Sequence, residues 1–124
     1  MSHKFRTSGY HPLRKLRVIL SGLYVAVVTD FSVAYKVVLS VPLLIATILL
    51  QQWIDVSLVL LATGIMLISE LFNSALEVLC DLVEPLQNDR IRVTKDIAAA
   101  AAGLSILVWA CILTIESVRL FQLP

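Results

Sequence analysis

The sequence predicts an all-α integral-membrane fold: an amphipathic interfacial helix at the N-terminus, then three transmembrane helices. Three observations predict it. The 124 residues are 59% apolar and only 15% charged, with a mean hydropathy of +0.91. A soluble domain of this size would leave too much of that apolar surface in water. The charged residues gather in a few places and leave three long apolar stretches between them, so the net charge of +1 hides a strong asymmetry. Ahead of these stretches, leucines and basic residues alternate at helical spacing. The length allows one domain, 1–124.

Met1 to Tyr10 is polar, carries Lys4 and Arg6, and is expected to be mobile. Pro12 suits the first turn of a helix over 12–29. Leu13, Leu16, Leu20, Leu23 and Val27 share one face, with Arg14, Arg17 and Ser21 on the other. That pattern belongs to a basic helix lying in the membrane interface. The first span, 36–54, contains Pro42, which is expected to bend it. The second, 56–82, is longer than a bilayer requires, so its last turns are expected to emerge into the interfacial region. The third, 96–121, opens on five alanines at 98–102 and Gly103, small residues that permit close helix approach.

Lys4, Arg6, Arg14, Lys15, Arg17 and Lys36 precede or open the first span, and Arg90, Arg92 and Lys95 lie between the second and third. The positive-inside rule therefore places the N-terminus and the 84–95 loop in the cytoplasm, and the short Gln51–Asp55 turn and the C-terminus outside. Trp53 and Phe121 stand where interfacial aromatics anchor outer ends. No small-residue cleavage site closes the first apolar stretch, so the N-terminal segment is expected to remain on the mature protein. Cys80 and Cys111 fit no metal or disulfide framework and read as buried structural thiols.

The chemistry concentrates on the second span. Glu70, Asn73, Ser74, Glu77 and Asp81 recur at steps of three and four residues and share one stripe of the helix. Ionisable groups are costly in lipid, so this stripe faces protein, water or a metal. Glu70 lies about 10 Å deeper than Glu77 along the helix axis. A deep carboxylate with little water around it suits a general base, while Glu77, nearer the surface, suits a cation. Hard oxygen ligands without cysteine or histidine favour magnesium over zinc. Asp30 and Asp81 supply further oxygens. Lys95 and Asp96 stand where the third helix is expected to begin, and a helix N-terminus there adds partial positive charge for an anionic group.

Plainer readings exist for each residue. Glu70 and Asn73 can tie helices together by hydrogen bonds. Lys36 reads best as a snorkelling anchor and Glu116 as a solvated interfacial charge. Asp30 reads as a ligand or an interfacial charge, Lys95 as a topology determinant, and Asp96 as a helix-start carboxylate. His3 and His11 are isolated. Two glutamates, an asparagine and an aspartate on one stripe argue for function over simple cohesion.

The run ELFNSALEVLCD at 70–81 resembles the Glu-x-x-Asn-Ser-Ala-x-Glu-x-x-x-Asp signature of the small prokaryotic diacylglycerol and undecaprenol kinases, reinforced by Lys95-Asp96 at the expected distance. The resemblance is strong over 55–113 and weaker before Lys36. It implies a homotrimeric bundle of three-span subunits whose sites are shared between neighbours, using ATP and Mg2+ to phosphorylate a lipid alcohol at the cytoplasmic membrane surface. By motif position, Glu70 is implied as the catalytic base, with Asn73 orienting it and the acceptor hydroxyl beside Ser74. Glu77 is implied as the main metal ligand. Asp81, Lys95 and Asp96 are implied in the nucleotide and phosphate site together with Glu77. Asp30 stands where the family carries a metal-binding glutamate, Arg14 or His11 where it carries an arginine, and Ala34-Tyr35-Lys36 replaces a more acidic stretch.

No Walker-type loop and no soluble-kinase catalytic loop occurs, which counts against ordinary nucleotide folds and agrees with the resemblance. The reading is therefore a membrane-embedded kinase making phosphatidic acid from diacylglycerol, with undecaprenol as the alternative acceptor. The rival from another class is a non-enzymatic membrane oligomer whose acidic stripe lines a pore or binds a partner.

Overall fold

The computed structural model of the chain describes Gly9, residues 11–86 and residues 88–124. Apart from Gly9, the polar segment 1–10 with Lys4 and Arg6 lies outside the described residues. Among the described residues the chain forms four helices and no strand: α1 Pro12–Thr29, α2 Phe31–Leu49, α3 Trp53–Val83 and α4 Asp89–Phe121. By length and composition α2, α3 and α4 can each cross a membrane.

Pro12 opens α1, where its missing N–H has no partner to lose. No residue of α1 is buried. Asp30 alone separates α1 from α2. Its extended backbone ends the first helix, and its carboxylate Oδ1 accepts the Ser32 N–H at 2.8 Å, capping the second. This cap starts α2 at Phe31 rather than at Lys36, so Lys36 sits inside a helix and is fully buried. It is not the snorkelling anchor that its place beside an apolar run suggests.

The helix continues through Pro42 to Leu49 and stops before the expected limit at Ile54. Gln51 takes the left-handed conformation (φ 55°), and Gln52 N–H returns to the Thr47 carbonyl at 3.0 Å. Trp53 and Ile54 thus begin α3. With 31 residues, α3 is about 46 Å long, against a hydrocarbon thickness of about 30 Å. The chain turns again at Glu84–Asn88. There the Asn88 side chain accepts the Arg90 N–H at 2.9 Å and starts α4 at Asp89, well before Asp96.

The antiparallel pair α3–α4 has the most extensive packing, and α2 lies across α3. The buried face of α4 is Ala98, Ala102, Ser105, Trp109 and Glu116. Ala62, Met66 and Trp109 form the core, flanked by Leu67, Ile106 and Leu113. Only Ala98 and Ala102 of the alanine run face inward; Gly103 is exposed, with open space where a Cβ would stand. Trp109 Nε1 donates to Ser40 Oγ at 2.8 Å, and Ser40 Oγ donates to the Lys36 carbonyl at 2.9 Å, tying α4 to α2. Large apolar side chains such as Leu61, Ile68 and Phe72 stay exposed, as a lipid-facing surface requires.

Two expectations are corrected by the packing. Glu116 is not a solvated charge: it is 1% exposed. It lies near Asp55, also buried, and Arg119 Nη1 reaches Asp55 at 3.1 Å and Glu116 at 3.5 Å. An antiparallel hairpin brings the start of α3 beside the end of α4, which sequence distance conceals. Cys111 is exposed on α4, whereas Cys80 is buried as expected; both thiols are free.

Replacing Ser40 by alanine leaves the buried Trp109 indole N–H without an acceptor, and the expected loss is about 1–2 kcal/mol. Unfolding of S40A, W109F and the double variant in detergent micelles measures it. The double variant is expected to lose less than the sum of the single ones, because both remove the same bond.

Candidate functional site

The stripe on α3 runs from interior to surface. Glu70 is buried at 6% exposure, Asn73 and Ser74 are half-buried, and Glu77 and Asp81 are exposed. The helical period that aligns these side chains also grades their access to water, because the last turns of α3 extend beyond its apolar middle.

At the buried end, the Lys36 ammonium pairs with Glu70 Oε1 and also donates to Ser32 Oγ at 2.8 Å. Tyr35 adds an aromatic face 5.4 Å from the same Nζ. Among the described residues, the hydrogen bond that Glu70 makes with its carboxylate runs through Oε1.

At the exposed end, Glu77, Asp81, Lys95 and Asp96 line one open groove of about 560 Å³, together with Glu84 and Arg92. Pro85, Leu86 and Asn88, between α3 and α4, also line it. Lys95 Nζ meets Asp81 Oδ1 at 2.6 Å across the two helices. Lys95 lies ahead of the apolar part of α4, and its ammonium is held above the usual lysine range, first by the hydrogen bond to Asp81 and also by the charge of Glu77. Because α4 begins at Asp89, Lys95 and Asp96 are not at a helix N-terminus, and the free N–H groups expected beside them are at Asn88–Asp89 instead. The Asn88 cap overrides the later onset of hydrophobicity at Ile97. Asn88 and Asp89 still line the groove, so the positive helix end faces it.

Two expected members stand elsewhere. Arg14 is exposed on α1, and Asp30 is the junction residue that caps α2; neither lines the groove. Among the described residues no three acidic, histidine or cysteine side chains converge on one point. The sequence reading did not single out Glu84 or Arg92 as site residues, and it misjudged Lys36. The signal for Arg92 was its place among the basic residues of the loop; for Lys36 nothing local marks the partner on α3.

A family model for prokaryotic diacylglycerol kinase matches residues 17–116. The chain belongs to that family. No curated protein and no solved structure matches it. As a member of the prokaryotic diacylglycerol kinase family, the chain belongs among lipid kinases of the membrane, and the family implies a lipid substrate and ATP.

The donor set fits a hard divalent cation of the magnesium type. Such an ion is held by one or two carboxylates, with phosphates and water completing its shell. Glu77 and Asp81, one turn apart and both exposed on the groove, offer that. Asp81 and Asp30 are each engaged through one oxygen, by Lys95 and Ser32, but Asp81 lines the groove with Glu77 and Asp30 does not.

Asp81→Asn removes the charge and the anionic acceptor that act on Lys95. The Lys95 amine is then expected to titrate at lower pH than in the unaltered protein, which side-chain 15N chemical shifts followed through an alkaline titration can read. An unchanged Lys95 titration would contradict the pairing.

Proposed function

We propose that this chain is an ATP- and magnesium-dependent lipid kinase that transfers the γ-phosphate to the primary hydroxyl of diacylglycerol, giving phosphatidic acid, with Glu70 as general base. The observation that carries the reading is the gathering of Glu77, Asp81, Lys95 and Asp96 around one groove, with Glu70 and Asn73 on the same stripe deeper in the bundle. This is the layout that a kinase with one water-soluble and one lipid substrate needs.

Lys95 and Arg92 neutralise phosphate oxygens at the groove, and the N-terminal turn of α4 adds its partial charge. Glu77 and Asp81 would hold magnesium, which when bound would supply neutralisation of phosphate charge. Asn73 and Ser74 orient the acceptor hydroxyl. Glu70 takes the hydroxyl proton as the lipid oxygen attacks in line; the new O–P bond forms as the bond to the β-phosphate oxygen breaks and ADP leaves. The acyl tails stay in lipid throughout.

The distribution of lysine and arginine supports a multi-pass location in the bacterial inner membrane, with the N-terminus and groove on the cytoplasmic side and the C-terminus outside. α1, with exposed leucines on one face and Arg14 and Arg17 on the other, fits an interfacial helix. A homotrimer with shared sites accords with the exposed apolar faces, and would allow Asp30 and Arg14 of one subunit to meet the groove of another.

Transfer of labelled γ-phosphate from Mg-ATP by purified protein in lipid–detergent micelles tests the proposal, with diacylglycerol and undecaprenol offered separately. Transfer to diacylglycerol is expected, and Glu70→Gln is expected to reduce it by at least about 10²-fold without changing the elution of the oligomer. Transfer to undecaprenol alone would move the acceptor, and none to either would defeat the kinase reading.

A further inference from the structure

Among the described residues, the Lys36 side chain is the largest that is completely buried. An ammonium in an apolar interior is costly unless its charge is compensated. Here two of its three donors are accounted for, one by Ser32 Oγ and one by Glu70 Oε1. Its backbone is fixed as firmly. Ser40 bonds the Lys36 carbonyl and is itself held by Trp109 from α4. Asp30 caps the helix through the N–H of Ser32, the same residue whose hydroxyl meets the ammonium. Hydrogen bonds thus fix Lys36 and its neighbour Ser32 so that the charge stands opposite a single carboxylate.

We propose that Lys36 is a positioning residue for the base: it fixes the Glu70 carboxylate through Oε1 and leaves Oε2 to receive the proton of the acceptor hydroxyl. The proposal rests on the reading of Glu70 as the base.

The surroundings make the effect separable from other charges. From α2 the titratable groups near Glu70 are Lys36 and Tyr35, with Asp30 engaged at the helix start. On α3 the next carboxylate toward the groove is Glu77. Between Asp96 and Glu116 α4 carries no titratable side chain except Cys111, which is exposed. Among the described residues Lys36 is the cation paired with Glu70. Without Lys36 the buried Glu70 carboxylate would lose the group that holds Oε1 in place and stand uncompensated.

The test is steady-state lipid phosphorylation by the unaltered protein, Lys36→Met and Lys36→Arg. K36M is expected to lower kcat by about 10²-fold with the KM for Mg-ATP little changed, and K36R is expected to recover most of the loss. A K36M variant with unchanged kcat would overturn the role, as would one whose loss lies in the KM for Mg-ATP. If K36M fails to fold, the double variant K36M/E70Q, which leaves no buried charge uncompensated, decides: it is expected to match the residual activity of E70Q, and a further loss would overturn the proposal. Unaltered protein that transfers no phosphate defeats the kinase reading, whereas the comparison with E70Q bears on Lys36 alone.

Discussion

The buried pair between Lys36 and Glu70 is the interaction on which the rest of the arrangement depends. Two charges in an apolar bundle are tolerable only together, since removing either leaves the other uncompensated. This requirement fixes how α2 lies against α3, and two further bonds brace it: the Asp30 cap at the start of α2 and the Ser40–Trp109 link to α4. The core of Ala62, Met66 and Trp109 lies between this pair and the opposite end of the hairpin. Apolar packing there is thin for a chain of this length, with much of the leucine and isoleucine exposed. Polar ties therefore carry a larger part of the specificity than they do in a soluble bundle.

The same rule organises the far end. Asp55 and Glu116 are buried together, and Arg119 answers both while keeping about half of its own side chain in the open. Between these two compensated regions α3 offers no unpaired charge. Toward the groove its carboxylates become progressively more exposed, and compensation passes from a single buried ammonium to Lys95 and to water. One helix thus carries a dry end and a wet end separated by two turns, as the proposed transfer from a soluble nucleotide to a lipid hydroxyl requires.

Much of this was legible in the sequence. Three apolar stretches and the leucine stripe of α1 predict the helices, and the steps from Glu70 to Asp81 predict one face graded in depth. What escaped was set by capping and by distant pairing. Hydrophobicity begins at Lys36 and Ile97, but helices begin where an Asx side chain can cap them, at Asp30 and Asn88. The roles of Lys36 and Glu116 were hidden because their partners lie on another helix, and no local pattern distinguishes a charge at a membrane surface from one sealed inside. Lys95 lines the groove, but its neighbourhood is the interior of a helix that starts at Asp89 rather than the helix start the apolar pattern suggests.

Gln51 has a consequence of another kind. Its left-handed backbone closes α2 onto α3 through a link of only three residues, Leu50 to Gln52. A link so short acts as a ruler. Each residue added to it would turn α3 by about 100° and advance it by about 1.5 Å, carrying Glu70 off Lys36 and the whole acidic stripe out of line. The groove at the other end of α3, some thirty residues away in the chain, is therefore aimed by the geometry of one residue on the opposite side of the bundle.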